Sequence, residues 1–267
     1  MYIFDSHVHI FPQKIAEKAS VNIGKFYDIP MEFNGSVDSL LEIAEKAGIN
    51  KCLVHSVATT EAQVEIINNF IAESVKAHSE LFVGFCSLHP SMSKEKIEAE
   101  IDRASSLGLL GIKLHPDFQL FHIDDRKAYD IYEVAEDRHI PILFHTGDYR
   151  YQWSSPERLA RALRDFPKLT AIGAHFGGWS EWDNGVKYLT DNENVFVDTS
   201  SSFYLISPEK AKEYISAFGA DRVLFGSDYP MWNVADDIEF MKKLDLPQDD
   251  FEKIMFKNAC KLLNVTV

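Results

Sequence analysis

The sequence lacks long apolar runs and has few cysteines. No stretch approaches the roughly 18 uninterrupted apolar residues that a membrane-spanning helix needs, and the start, MYIFDSHVHIF, has no basic segment followed by an apolar one. The three cysteines, Cys52, Cys86 and Cys260, are widely separated in apolar surroundings, which favours reduced core residues over disulfides or a thiolate metal site. We therefore expect a cytoplasmic protein that does not bind membranes.

Positive charge is also scarce, because 27 Lys and Arg stand against 41 Asp and Glu, for a formal net charge of −14. This sign opposes binding to a phosphate backbone, so we expect no nucleic-acid partner. An anionic small molecule is still allowed, because Lys113, Arg126 or Arg150 and a metal ion can reverse the potential inside a pocket. A small-molecule substrate is the expected partner, with a homodimer through outer helices as an open option.

No linker rich in Pro, Gly or Ser divides the 267 residues, so residues 1–267 are predicted to form a single barrel domain. Short apolar runs alternate with amphipathic stretches, which is typical of βα units and a parallel sheet. The predicted strands are Ile3–His9, Lys51–Ser56, Phe82–Leu88, Gly111–His115, Pro141–His145, Thr170–His175, Val195–Thr199 and Val223–Gly226. Eight such strands favour an α/β fold, a (β/α)₈ barrel, over a doubly wound open sheet.

Helical spacing and end signals occur between these strands. Ser36 is a predicted N-cap of a helix that stops at Gly48, and Ser93 of one that stops at Gly108. Further helices are predicted at Glu61–His78, Asp125–Arg138, Ser155–Phe166, Gly185–Asp191, Ser207–Phe218 and Asp249–Leu263. The long first connection, Phe11–Gly35, is interpreted either as a flap over the barrel mouth or as an irregular surface loop.

Titratable side chains stand at the ends of several predicted strands. His7 and His9 lie on the same face of the first strand, because side chains alternate along a strand. The runs that follow end in His145 and His175, and the last one leads to Asp228. In a barrel these ends meet at the C-terminal mouth, where catalytic groups are placed. Imidazole and carboxylate are ligands that divalent cations accept, so the set favours a metal site.

Five segments that contain these residues resemble the amidohydrolase superfamily, and most of all its amidohydrolase-related branch of metal-dependent hydrolases and decarboxylases. The segments are DSHVH (5–9), GIKLHP (111–116), FHTG (144–147), AHFGG (174–178) and FGSDYP (225–230). The resemblance continues to NACKLL (258–263), so it covers almost the whole chain. It implies a distorted (β/α)₈ barrel, although the loops carry no signature that defines a substrate.

The resemblance also implies a ligand set for a divalent metal, with zinc first and manganese as the alternative. His7, His9, His145 and Asp228 would bind one ion. His175 would either complete a second metal position or hydrogen-bond the substrate, and Lys113 would bridge two ions in a binuclear site. One ion is favoured over two.

The leading hypothesis from the sequence is hydrolysis of a small lactone, amide or ester by a metal-activated water. Asp228 would transfer the proton and His175 would stabilise the oxyanion. A metal-dependent decarboxylase of a small aromatic or unsaturated acid is the alternative, with Arg150 or Lys113 aiding the carboxylate. A non-catalytic metal-binding protein ranks last, because structural zinc sites are closed and often use cysteine.

Other residues at strand ends receive supporting roles. Asp198 and Thr199 are expected to orient a ligand histidine, although Asp198 alternatively caps the following helix. The expected substrate contacts are His115, Tyr149, Arg150, Trp179, Tyr229 and Trp232. Three histidines, His55, His89 and His122, are assigned to structure or solvent, with contact to the pocket floor as the alternative for His55 and His89, which also follow strands.

Overall fold

The computed structural model describes residues 1–266, and its eight strands form one sheet in the order β1 to β8. The neighbouring strands whose register is resolved run parallel. The strands are β1 (Phe4–His9), β2 (Lys51–His55), β3 (Phe82–Ser87), β4 (Leu109–Leu114), β5 (Ile142–Phe144), β6 (Ala171–Gly173), β7 (Val195–Asp198) and β8 (Val223–Leu224). Each predicted strand is present, and the (β/α)₈ barrel is confirmed.

Helices lie between the strands, and none among the described residues has the length and apolar character needed to cross a bilayer. They are α1 (Ala16–Tyr27), α2 (Val37–Ala47), α3 (Val64–Ala77), α4 (Lys94–Ser106), α5 (Pro116–Gln119), α6 (Tyr129–Asp137), α7 (Pro156–Asp165), α8 (Trp182–Leu189), α9 (Pro208–Phe218), α10 (Val234–Lys243), α11 (Gln248–Glu252) and α12 (Asn258–Leu263). The predicted caps form, since Ser36 Oγ accepts from Ser39 N and Ser93 Oγ from Lys96 N.

Two of the longer helices differ from the sequence predictions. The connection interpreted as a flap or loop contains α1, whose buried residues are Ala16, Ser20 and Gly24. These small side chains give no apolar periodicity, which is the signal that marks a helix in a sequence. The structure also contains α10, which was not predicted, although its buried Val234, Ile238 and Met241 have helical spacing.

The chain divides into two units, each packed mainly against itself. Unit 1 comprises residues 1–55, 74–83 and the chain from 199 onward, and so contains β1, β2, β8, α1, α2 and α9 to α12. Unit 2 comprises residues 56–73 and 84–198, and so contains β4 to β7, most of β3, and α4 to α8. Each unit contains its own cluster of histidine and aspartate side chains.

In unit 1, hydrogen bonds join strand β1 to the segment that begins with β8. Ser6 N donates to Phe225 O at 2.8 Å, and His9 N donates to Tyr229 O at 2.8 Å. The buried Asp5 carboxylate accepts from Ser227 N at 2.9 Å and from Ser227 Oγ at 2.5 Å. These bonds satisfy a buried charge and hold the end of β1 against the residues after β8.

In unit 2 a close contact between two strands depends on a glycine. A Cβ atom added to Gly111 of β4 would lie 2.4 Å from the Phe85 ring of β3, whose side chain is fully buried. Asn68, also fully buried, donates from Nδ2 to Ser87 O at 3.0 Å and accepts from Ser87 N at 2.7 Å. The Phe85 ring packs β3 against β4. The hydrogen bonds between Asn68 and Ser87 hold the first part of α3 against the end of β3.

Candidate functional site

Three predicted metal ligands meet in unit 1. The distance from His7 Nε2 to His9 Nε2 is 3.3 Å, and Asp228 Oδ1 lies 3.4 Å from each of these nitrogens. The His7 side chain is 1% exposed, while His9 and Asp228 are 12% and 13% exposed. The three donor atoms therefore form a nearly equilateral triangle that opens toward solvent on the side of His9 and Asp228.

The triangle fits a divalent cation. Nitrogen and oxygen ligands lie about 2.0–2.2 Å from zinc, and donors placed around an ion at that distance are separated by the 3.3–3.4 Å seen among His7, His9 and Asp228. Two imidazole nitrogens and a carboxylate oxygen also suit the chemistry of Zn²⁺ and Mn²⁺.

Residues after β7 orient two of these ligands. His7 Nδ1 hydrogen-bonds Ser200 Oγ at 3.0 Å, and a proton on Nδ1 leaves the lone pair of Nε2 for a cation. Ser201 Oγ donates to Asp228 Oδ2 at 2.5 Å and accepts from Trp232 Nε1 at 2.7 Å. Three consecutive serines follow Thr199 in the sequence, and they are the local signal for these contacts.

The backbone around Asp228 is adapted to this arrangement. Asp228 has φ of +63°, a left-handed conformation that aspartate adopts more readily than bulky residues do. Its N–H donates to His7 O at 2.9 Å, and a cis peptide joins Tyr229 to Pro230 just after it. Gly226 gives the room needed nearby, because an added Cβ there would lie 2.9 Å from His7 Cβ.

A third histidine of unit 1, His55, which the sequence assigned to structure or solvent, lies against His7 and His9. His55 at the end of β2 is fully buried, and its ring lies edge-on to His9 at 4.4 Å and to His7 at 5.0 Å between centroids. His7, His9 and His55 each offer a ligand atom within 4.8 Å of the other two. The sequence placed His55 at a strand end, but its neighbours depended on the pairing of β1 with β2.

Unit 2 carries a second group of imidazoles. His175 Nε2 and His145 Nδ1 are 3.0 Å apart, and His145 Nε2 lies 3.6 Å from Asp117 Oδ2. His115 stacks on His145 with centroids 4.0 Å apart and planes 5° from parallel. His115, Asp117 and His145 also have ligand atoms within 4.8 Å of one another. The predicted residues His115, His145 and His175 are thus neighbours.

Asp117 was not predicted, and its environment is unusual. Burial raises the pKa of its carboxyl to about 7, with Asp148 adding to the rise. A hydrogen bond from Ser154 Oγ to Asp117 Oδ2, 2.5 Å long, lowers that pKa without cancelling the effect of burial. The carboxyl therefore exchanges a proton near neutral pH beside His145.

Asp198 hydrogen-bonds the backbone of His175 and does not cap the helix that follows. Its Oδ1 accepts from His175 N at 3.0 Å, and the N-cap of α9 is Ser207. His175 has φ of +61°, and this bond stabilises that left-handed turn. Thr199, in unit 1, accepts from Gly226 N at 3.1 Å and donates to its carbonyl at 3.2 Å, so it supports the segment that leads to Asp228.

The remaining predicted residues of unit 2 differ in exposure. Lys113 is fully buried on β4, whereas Tyr149 is 69% exposed. Arg150 makes a double hydrogen bond with Asp148, at 2.9 and 2.7 Å, and its guanidinium carbon lies 5.5 Å from the Trp179 ring centroid. Trp179 is 6% exposed. Because the Arg150 guanidinium is shared with Asp148, it offers less charge to an anionic substrate than the sequence suggested.

Tyr229 and Trp232 occupy different positions in unit 1. Tyr229 is 1% exposed, and its hydroxyl donates to Ser36 O at 3.1 Å. Burial raises the pKa of this hydroxyl to about 12, so it stays protonated at neutral pH. Trp232 is half-buried and stacks on Tyr204 with centroids 4.1 Å apart. Of the two rings, only Trp232 borders open space.

Comparisons with known proteins agree with this architecture. A family model described as amidohydrolase matches residues 4–265. A γ-resorcylate decarboxylase from Polaromonas sp. is 25% identical over 252 residues, which cover 74% of this chain and 75% of that protein.

Two of the solved structures with the same fold illustrate the likeness. A TIM-barrel protein from Bordetella bronchiseptica is 23% identical, with 99% of each chain covered and a TM-score of 0.82. A dihydroxybenzoic acid decarboxylase from Polaromonas sp., with bound manganese and the inhibitor 2-nitroresorcinol, is 16% identical, with 98% of this chain and 97% of that chain covered and a TM-score of 0.74.

These comparisons correct the expectation of hydrolysis, which is wrong. The curated relative is a decarboxylase, and so is the manganese-bound structural neighbour, so they match the reaction given above as the alternative. The physical reason for the error is that both reactions use histidine and carboxylate ligands at strand ends, and the sequence motifs report those ligands rather than the bond that is broken.

Proposed function

The chain belongs to the amidohydrolase family, and from this membership we propose that it is a divalent-metal-dependent decarboxylase of a small aromatic acid. The observation that carries the proposal is the triangle of His7, His9 and Asp228, whose donor atoms are 3.3–3.4 Å apart. The decarboxylase among its curated relatives gives the reaction class. Manganese is proposed ahead of zinc, because two decarboxylase neighbours contain bound manganese.

When bound, the cation would neutralise the substrate's negative charge and hold its oxygens in place. His7 and His9 would bind it through Nε2, with His7 kept in the required tautomer by Ser200. The expectation that His145 shares this ion, and that one ion is present rather than two, stays a prediction. So do the roles given to His175 at the substrate and to Lys113 as a bridge.

Decarboxylation replaces a carboxylate on a ring carbon by a proton. The bond between that carbon and the carboxylate breaks, a C–H bond forms, and CO₂ leaves, so a group must deliver one proton to the carbon. We assign this task to Asp228, whose carboxylate, 13% exposed, would take up a proton from water and pass it to the carbon, which returns Asp228 to the carboxylate form. Its position is fixed by the hydrogen bond from Ser201, and a fixed proton carrier contributes about 10²–10⁴-fold to a rate.

The test uses the manganese-loaded full chain and a panel of hydroxylated benzoates, with 2,6-dihydroxybenzoate among them. We expect release of CO₂, and in D₂O one deuterium at the carbon that lost the carboxylate. Asp228→Asn should lower turnover by about 10²-fold or more, whereas Asp191→Asn, at an exposed aspartate, should leave it unchanged. Failure to release CO₂ from any aromatic acid, or equal turnover in both variants, would reject the proposal.

A further inference from the structure

Unit 1 contains a cavity of about 200 Å³ between the loop after β7 and helix α10. We call it the α10 pocket, and its lining includes Phe203, Tyr204, Trp232, Asp236, Asp237 and Phe240. Its volume exceeds the roughly 150 Å³ of an engineered cavity that binds benzene, so it has room for a small organic molecule. None of the proposed metal ligands is among the described residues that line it, so the α10 pocket is separate from the ligand triangle.

Four aromatic rings form one part of the wall of the α10 pocket. Tyr204 and Trp232 are stacked with centroids 4.1 Å apart, and Phe203 and Phe240 are stacked with centroids 4.3 Å apart. Stacking leaves one face of each ring turned away from its partner, and the face of an aromatic ring attracts cations. Trp232 and Phe240 are half-buried and Tyr204 is 37% exposed, so a molecule from solvent can reach these rings.

A buried carboxylate oxygen lies in another part of the wall. Asp237 Oδ2 is shielded from solvent and has no hydrogen-bond partner within residues 1–266. Asp237 stands in the first turn of α10, where the helix dipole favours an acidic side chain. This position does not supply the hydrogen bond that a buried carboxylate oxygen requires. A donor on a bound molecule would supply it.

The charges around Asp237 specify the kind of donor. Burial raises the pKa of the Asp237 carboxyl, and the charge of Asp5 adds to this rise in pKa. The carboxylates of Asp236 and Asp228 raise the same pKa further, and the described lining of the α10 pocket contains no lysine or arginine. A protonated amine brings both an N–H donor and a positive charge that offsets these carboxylates, whereas an anion would be repelled.

We propose that the α10 pocket binds a small protonated amine that carries an apolar group. The ammonium donates to Asp237 Oδ2, and the apolar group packs against the rings of Trp232 and Phe240. This inference goes beyond the proposed function, because neither the metal ligands nor the loss of CO₂ from an aromatic acid requires an organic cation. The amine is therefore a second ligand of unit 1, bound apart from the metal.

Isothermal titration calorimetry of the manganese-loaded full chain at neutral pH tests the inference with three probes. Benzylammonium has both the charge and the ring, benzyl alcohol has the ring without the charge, and methylammonium has the charge without the ring. We expect benzylammonium to bind about tenfold or more tightly than either of the others, because a charged hydrogen bond and an aromatic contact both contribute. Equal affinity for benzylammonium and benzyl alcohol, or no binding of benzylammonium, would overturn the inference.

Two substitutions locate the binding in the α10 pocket. Asp237→Asn keeps the shape of the side chain and removes its charge, so it should weaken benzylammonium binding by about tenfold or more and leave benzyl alcohol unaffected. Tyr204→Leu removes one ring from the wall and should weaken benzylammonium binding several-fold. Because Tyr204 is partly exposed, this second variant keeps the inference testable if Asp237→Asn does not fold.

Glu239→Gln is the matched control. Glu239 is exposed on the same helix, is paired with Lys242 and lies outside the pocket lining, so the control removes one negative charge from α10 without changing the pocket. This variant should bind benzylammonium as the parent does. Unchanged affinity in Asp237→Asn would place the amine elsewhere, and an equal loss in Glu239→Gln would show that it responds only to the general charge of the helix. Either result would reject the α10 pocket as an amine site.

Discussion

At the scale of single residues, Ser201 controls the position of Asp228. It has φ of +47°, a conformation that a non-glycine residue keeps only when its surroundings hold it. Those surroundings are visible in the hydrogen bonds from Trp232 Nε1 to Ser201 Oγ and from Ser201 Oγ to Asp228 Oδ2. The hydroxyl thus restrains one oxygen of the carboxylate and leaves Oδ1 facing His7 and His9.

We predict that Ser201→Ala weakens manganese binding by about 10–100-fold, because a ligand that loses its hydrogen-bond partner is less well oriented. Calorimetric titration of the metal-free protein with Mn²⁺ measures this loss without any substrate. The control is Ser202→Ala, which removes a neighbouring hydroxyl that donates to the backbone carbonyl of Ser200 at 3.0 Å. Unchanged manganese affinity in Ser201→Ala would show that Asp228 is oriented by other contacts.

At the scale of secondary-structure elements, β3 and β4 pack closely because β4 has a glycine opposite an aromatic ring. A Cβ at position 111 would lie 2.4 Å from the ring of Phe85. The ring is fully buried and has little freedom to move away, since protein interiors are close-packed. Strand propensity disfavours glycine in a strand interior, so this glycine is explained by tertiary packing.

Gly111→Ala should lower the free energy of unfolding by about 1–3 kcal/mol, as overpacking of a core does. The change would be followed by urea denaturation. Phe85→Leu in the same background should recover part of the loss, and Phe85→Leu alone serves as the third corner of the cycle. Additive effects of the two substitutions would mean that the ring and the new methyl group do not meet.

The residue and element scales also show how far the sequence could be interpreted. Alternation along β1 put His7 and His9 on the same face, and the structure brings their Nε2 atoms to 3.3 Å. Helix α1 was missed because its buried stripe consists of small residues. His55 was assigned to structure because a histidine at a strand end has no local signal that distinguishes a ligand from a packed ring.

At the scale of the whole molecule, unit 1 combines the first 55 residues with the chain from 199 onward. His7 and His9 come from the first part and Asp228 from the second, so these ligands are more than 200 positions apart in the sequence. Asp5 and Ser227 already join the two parts with hydrogen bonds. A cation held by His7, His9 and Asp228 would add a second link within unit 1.

We therefore predict that Mn²⁺ raises the melting temperature of the metal-free protein. A ligand at 100 times its dissociation constant stabilises the folded state by about 2.7 kcal/mol, and the shift should disappear in His9→Asn. His89→Asn is the control, because His89 lies in unit 2 and bonds Ser91. Differential scanning calorimetry in EDTA and in Mn²⁺ provides the comparison, and an equal shift in both variants would place the ion elsewhere.

The sequence by itself determined the barrel and the strand-end residues, because the alternation of apolar runs and the two-residue period of a strand are local properties. Tertiary structure decided which side chains meet those residues. The serines that orient His7 and Asp228, the approach of His55 and the contact of Trp232 with Ser201 come from segments far apart along the chain. Hydrolysis and decarboxylation share the local motifs, so the choice between them lay outside what local pattern can specify.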